Sequence, residues 1–172
     1  MVTFLAIDPG TYKMGVVLFN DAQLIRYWLC EAPRGMEIEE RLPTLVNQLE
    51  EIVLAHGEVR AIACEKLIGH GKRLVAPELQ TLIRRIRRWA TKTPHKFIWW
   101  QYHPSTIVAQ IRPAKGGYRK DWTPKDIMRL GVKMVYGSKL GSIDQNLIDA
   151  IAVGHCHIEK RRAAEILEER EI

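Results

Sequence analysis

The chain has 172 residues, 47% of them hydrophobic and 27% charged, with a formal net charge of +6. That length and balance suit residues 1–172 as a single domain with a substantial core and exclude wholesale disorder. No apolar run approaches a membrane span and the start lacks a signal-peptide pattern, so the expectation is a cytoplasmic protein with no membrane partner, and the excess of cations favours a polyanionic one.

In chain order, Val2 to Ile7 is a β-rich apolar run ending in Asp8-Pro9-Gly10, and Met14 to Phe19 is a second such run. The pair predicts a β-hairpin closed by a Pro-Gly turn. Gln23 to Cys30 predicts a third strand after an Asn20-Asp21 turn. Glu37 to His56 places Ile38, Leu42, Leu45, Val46, Leu49, Ile52 and Val53 at helical spacing, and Gly57 stops it. Val59 to Cys64 reads as a short buried strand that ends in Glu65. After a polar loop at residues 69–73, a helix is predicted from Pro77 to about Ala90, with Leu79, Leu82, Ile83, Ile86, Trp89 and Ala90 in its apolar stripe. Phe97 to Gln101 predicts a fifth strand, and Pro104 to Ile111 a short helix. Residues 112–122 form a basic loop, Thr123-Pro124 opens a helix ending near Gly131, and a long helix runs from about Asp144 to Glu169. Three antiparallel strands followed by strands alternating with helices imply an α/β fold with a mixed five-stranded sheet. Cys30, Cys64 and Cys156 lack zinc-finger or Cys-x-x-Cys spacing and sit in apolar settings, which predicts buried thiols in a reducing compartment.

Two acids close strands: Asp8 the first and Glu65 the fourth. If those strands are parallel neighbours, both carboxylates emerge at one edge. Asp149 is the third acid, amid Leu147, Ile148, Ile151 and Ala152 on the apolar side of the last helix. Singly, each has an ordinary explanation, such as a turn at Asp8 or a partner cation at Asp149. Three acids at the ends or buried faces of elements instead suggest a divalent-metal site, because clustered carboxylates repel until a hard cation binds.

Asp8-Pro9-Gly10, Glu65, Asp149-Ala-Ile-Ala and the following His155-Cys156-His157, in this order and spacing, resemble the RuvC family of Holliday-junction resolvases over about residues 1–158. The resemblance implies a ribonuclease H-like fold, a homodimer, no small-molecule cofactor, and two Mg²⁺ ions per active site, which Mn²⁺ can replace. It also implies paired symmetric nicks across a four-way DNA junction, and a role in DNA recombination and repair. The metal set would be Asp8, Glu65 and Asp149 with Asn146 or Asp144 in the fourth position, where the family carries Asp or His and this chain has Asn146. Asn146 and Asp149, three apart, share a helix face, whereas Asp144 reaches the site only as an N-cap. Other departures are Ile68, where family members often have an aromatic residue, and Val108, where they have a basic one. The sequence thus resembles a divergent member, with the phage type as one reading. Lys125 matches the family's second lysine and is the candidate for charge stabilisation at the scissile phosphate; Lys115, Arg119 and Lys120 stand in for the first.

Three basic groups supply candidate DNA contacts: Lys72 and Arg73, the arginines at 84–88 including Arg84, and Lys115, Arg119 and Lys120 with Tyr118 beside them. Half of these cations are what any solvated helix face would carry. Tyr118 and Trp122 serve equally as base-stacking or packing residues. His155 and His157 are two apart on a helix and share no face, which argues against a zinc site. Two rivals stay open: another ribonuclease H-like nuclease acting on structured RNA, and a junction-binding protein with impaired catalysis.

Overall fold

The structure is a computed structural model that describes residues 2–68, 76–92, 96–113, 121–137, 140 and 142–170. Among them the chain forms β1 (Thr3–Asp8), β2 (Lys13–Asn20), β3 (Gln23–Glu31), α1 (Ile38–Ala55) and β4 (Val59–Glu65). These are followed by α2 (Pro77–Lys92), β5 (Ile98–Tyr102), α3 (Pro104–Ile111), α4 (Pro124–Tyr136) and α5 (Gln145–Arg170).

The strands form one sheet in the order β3-β2-β1-β4-β5. β1 pairs antiparallel with β2, and β2 with β3, so the opening sequence is a meander. β4 then joins the far side of β1 in parallel, and β5 joins β4 in parallel, each reached through a helix. The expected mixed five-stranded sheet is therefore the observed one. At the β2–β3 turn Asp21 adopts a left-handed φ of 49°. Its carboxylate accepts the Val2 N–H at 2.8 Å, which ties the turn back to the start of β1.

β1 is apolar from Phe4 to Ile7 because both of its faces are covered. Phe4 and Ala6 point to one face with Val17, Phe19, Ala61 and Ala63, and α3, α4 and α5 pack there through Ile107, Ile111, Val132, Ile148 and Ile151. Leu5 and Ile7 point to the other face with Val16, Leu18 and Ile62, where α1 and α2 supply Leu42, Leu45, Leu49, Leu82 and Ile86. The period-two alternation of a strand thus sorts every second residue into a different core. Cys30, Cys64 and Cys156 are buried free thiols, as their apolar settings predict.

α4 is one correction: it continues past Gly131 to Tyr136. Gly131 is a close-approach residue rather than a stop, since a side chain there would collide with the Ile111 carbonyl of α3. The helix ends instead at Gly137, which has a left-handed φ of 79°. Its start follows expectation: Thr123 and Asp126 form a reciprocal capping box behind Pro124. No described helix is long and apolar enough to cross a membrane.

Candidate active site

The parallel pairing of β1 with β4 decides where the first two acids meet. Ala6 lies opposite Ala63 and Ile7 opposite Cys64, so one further step brings Asp8 level with Glu65. Both continue the side-chain rows that face α5: Phe4, Ala6 and Asp8 on β1, and Ala61, Ala63 and Glu65 on β4. The alanines in those rows let α5 come close to the sheet.

A glycine on β2 completes the approach. Gly15 pairs with Asp8, and any side chain on it would strike the Asn146 carbonyl in the first turn of α5. The helix N-terminus therefore rests on backbone beside Asp8. From there α5 carries Asp149 one turn further along, where it is 9% exposed.

Asp144 caps this helix. Its carboxylate accepts the Asn146 N–H at 2.9 Å, and its carbonyl accepts the N–H groups of Leu147 and Ile148. The Asn146 side chain donates to the same Asp144 oxygen at 2.8 Å. Lys13, at the start of β2, lies 3.7 Å from the other Asp144 oxygen and 2.6 Å from Glu31. The two residues proposed for one metal position are thus bonded to each other. Sequence spacing alone did not show that pairing.

The carboxyls act on one another. Burial, then the charges of Asp149 and Glu65 and more weakly Asp144, push Asp8 from an ordinary 3.8 up to about 8, against the opposing pull of Lys125. Asp8 keeps some open surface at the strand end, but its carboxyl is surrounded by protein, and that surrounding governs the shift. Burial and the Asp149 charge raise Glu65, again opposed by Lys125. Asp149 is raised by burial, while a hydrogen bond from Gln145 and the charges of Lys125 and Arg129 pull it back. Desolvation and like charge are the two causes that crowd a carboxyl towards its neutral form.

α4 supplies the opposing cations. The Lys125 ammonium is 3.9 Å from an Asp149 oxygen and remains exposed. Arg129, one turn on, donates to the Gln145 carbonyl oxygen at 2.6 Å, and the Gln145 amide N–H donates to the other Asp149 oxygen at 2.7 Å. Arginine only donates and an ionised carboxylate only accepts, so this amide orientation is the one that satisfies both neighbours. Gln145 and Arg129 went unread in the sequence: a glutamine four residues before an aspartate is an ordinary helix pair, and Arg129 reaches it only across the α4–α5 contact.

Asp8, Glu65, Asp144, Asn146, Asp149 and Lys125 are thus gathered around the Asp8 end of the sheet. Arg84 is elsewhere, exposed on α2, which packs on the opposite sheet face, and it donates to Thr81 at 3.3 Å. Lys72, Arg73, Lys115, Tyr118, Arg119 and Lys120 lie outside the described residues. His157 is buried and shares a hydrogen bond of 2.7 Å with the Tyr102 hydroxyl, while His155 shares one with Tyr136. Each therefore has a partner of its own. Among the described residues no three His, Cys, Asp or Glu side chains converge into a closed metal cage. The acids share a field without touching. Their donor atoms are nevertheless all oxygens, and the repulsion among them is of the kind a hard divalent cation relieves.

The strand order, the parallel β1–β4 pair and the helix laid across it form the ribonuclease H-like fold. Within that class, the fold is similar to two solved Thermus thermophilus RuvC structures. One is described as RuvC in complex with a Holliday junction substrate: TM-score 0.74, 16% identity, covering 94% of this chain and 96% of that chain. The other, RuvC alone, has a TM-score of 0.71 and 18% identity and covers 94% of this chain and 97% of that chain. The yeast mitochondrial Holliday junction resolvase Ydc2 is also similar, with a TM-score of 0.62 and 7% identity, covering 91% of this chain and 78% of that one. No protein-family model and no curated protein matches the chain.

Proposed function

We propose that this protein is a divergent RuvC-type endonuclease that resolves four-way DNA junctions by paired nicks. The observation that carries the reading is the gathering of Asp8, Glu65 and Asp149 from two parallel strands and one helix, where burial raises all three carboxyls and the Asp149 charge raises Asp8 and Glu65 further. Desolvating several carboxyls side by side costs the fold stability, and such a cost is characteristic of functional sites. The likeness in fold to junction resolvases supports the choice of substrate, as does the net charge of +6.

Asp8, Glu65 and Asp149 would hold divalent cations, Mg²⁺ or Mn²⁺, with the bonded pair Asp144 and Asn146 in the fourth position. Two such cations, when bound, supply the charge that activates the attacking water and neutralises the departing 3′ oxygen. Lys125 stands at the rim with its ammonium exposed and directed at Asp149, a position from which it meets a phosphate oxygen. Arg129 and Gln145 keep the Asp149 carboxylate oriented. Two matched nicks need two sites related by a twofold axis, so the active form is a homodimer.

Substrate choice is tested by competition. A labelled four-way junction is incubated with the protein and Mg²⁺ while unlabelled junction, linear duplex or structured RNA is added. The expected result is cleavage at paired positions, inhibited by junction far more strongly than by duplex or RNA. Equal inhibition by structured RNA would move the assignment to an RNA-processing nuclease of the same fold. Tight junction binding without nicks would instead favour the impaired, binding-only reading that Asn146 raises.

A further inference from the structure

Tyr12 sits in the loop between β1 and β2, four residues after Asp8 and next to Lys13, whose ammonium lies 3.7 Å from Asp144. It is 54% exposed. One face of its ring is covered by the Arg41 guanidinium, whose central carbon is 3.6 Å from the ring centroid. Arg41 rises from α1 and is only 7% exposed, and its Nε finds no hydrogen-bond partner among the described residues. Burying a guanidinium beneath an exposed ring has a cost that ordinary packing does not explain, since an aliphatic side chain would fill the same space. The arrangement does two things: it fixes the ring plane, and it draws electron density towards the cation. Both make the outer face a better surface for an electron-rich planar partner.

We propose that Tyr12, backed by Arg41, is a stacking platform for an unpaired nucleobase of the bound nucleic acid. The proposal rests on the nuclease reading above and adds a base-binding subsite in the loop that follows Asp8, on the α1 side of the sheet. Bases at a branch point expose their faces as those in a duplex do not, and an aromatic side chain stacks on any of them without reading sequence. A platform in the loop after Asp8 would hold the branch point while phosphates from the same strand lie near Lys125. The Tyr12 backbone is itself fixed, since its carbonyl accepts the Ala32 N–H at 2.9 Å.

The test uses the full chain and a four-way junction in Ca²⁺, with iodouracil replacing one branch-point thymine at a time. Long-wave irradiation is expected to cross-link Tyr12, identified by mass spectrometry of the adduct. Tyr12→Leu should weaken junction binding about tenfold, the loss of one stacked base, while Tyr12→Phe and Tyr12→Trp retain it. Arg41→Met, which keeps the packing and removes the charge, should lose several-fold. Circular dichroism checks that each variant is folded. Cross-links confined to other residues, with Tyr12→Leu binding as tightly as the unaltered chain, overturn the platform and leave the nuclease reading intact. Failure of the unaltered chain to prefer the junction over duplex overturns both.

Discussion

The two faces of the sheet are built from the same five strands and have different contents. Under α1 and α2 the packing is large and aliphatic: Leu5, Ile7, Met14, Leu45, Leu49, Ile62, Leu82 and Ile86 are almost wholly buried there. Under α5 the strands offer Ala6, Ala61 and Ala63, the helix answers with Ala150 and Ala152, and polar groups enter: Asp149 and His157 are both buried on this side. Small residues bring α5 close to the sheet, and close approach lets Asp149 share the field of Asp8 and Glu65. Arg41 of α1 aside, the aliphatic face supplies stability, and the alanine face gives up some packing to hold charge.

Breaking the two faces should give opposite results. Asp149→Asn is expected to lower cleavage by more than the roughly hundredfold upper range of an outer-sphere change, with the fold retained. Leu49→Ala, on the aliphatic face, should cost about 2–5 kcal/mol of stability in a denaturant melt and leave the cleavage rate of the folded fraction unchanged. A Leu49→Ala variant that remained stable but lost activity would contradict the division.

The electrostatics of the alanine face predict a pH signature. The Asp8 carboxyl rises from 3.8 to about 8 on folding, so the native state holds its proton more tightly than the unfolded chain does. Its stabilising contribution is complete below the lower value and is lost as pH rises through the upper one. Glu65 and Asp149 shift in the same direction. Metal-free protein in EDTA should therefore melt at progressively lower temperature across that window, by several degrees. Mg²⁺ should restore the melting temperature most at the alkaline end. Asp8→Asn should flatten the EDTA profile, and a profile already flat in the unaltered chain would contradict the shared field.

Two smaller changes sharpen the comparison within the α5 side itself. Gln145→Leu removes the donor that orients Asp149 and should weaken Mg²⁺ binding about tenfold by calorimetry, without destabilising the metal-free fold. Asn146→Asp would replace the amide that donates to Asp144 with a second carboxylate. It should raise the cleavage rate at saturating Mg²⁺ by a few-fold while lowering the metal-free melting temperature. A rate that falls instead would count against Asn146 as part of the fourth position.

Most of this architecture was legible in the sequence because its periodicities are clean. The hairpin, the two parallel strands and the long helix each carry an unambiguous apolar pattern, and Asp8, Glu65 and Asp149 stand out as charges at the ends or buried faces of those patterns. What stayed hidden depends on contacts between elements. Gly131 reads as a helix stop until Ile111 is seen against it. Asp144 and Asn146 look like alternatives until the helix cap bonds them together. Arg129 and Gln145 are unremarkable residues sixteen positions apart that meet across two helices. Arg41 falls within a helical run and gives no sign in sequence that it is buried beneath Tyr12.

The central claim is that the acids gathered under α5 form a cation-dependent nuclease site for branched DNA. Its most direct test is incubation of a synthetic four-way junction and a matched duplex with the protein in Mg²⁺, in EDTA, and with Asp8→Asn in Mg²⁺. The account predicts paired nicks in the junction alone, abolished by EDTA and by the substitution. Nicking that survives in EDTA or in Asp8→Asn, or nicking of duplex and junction alike, would contradict it.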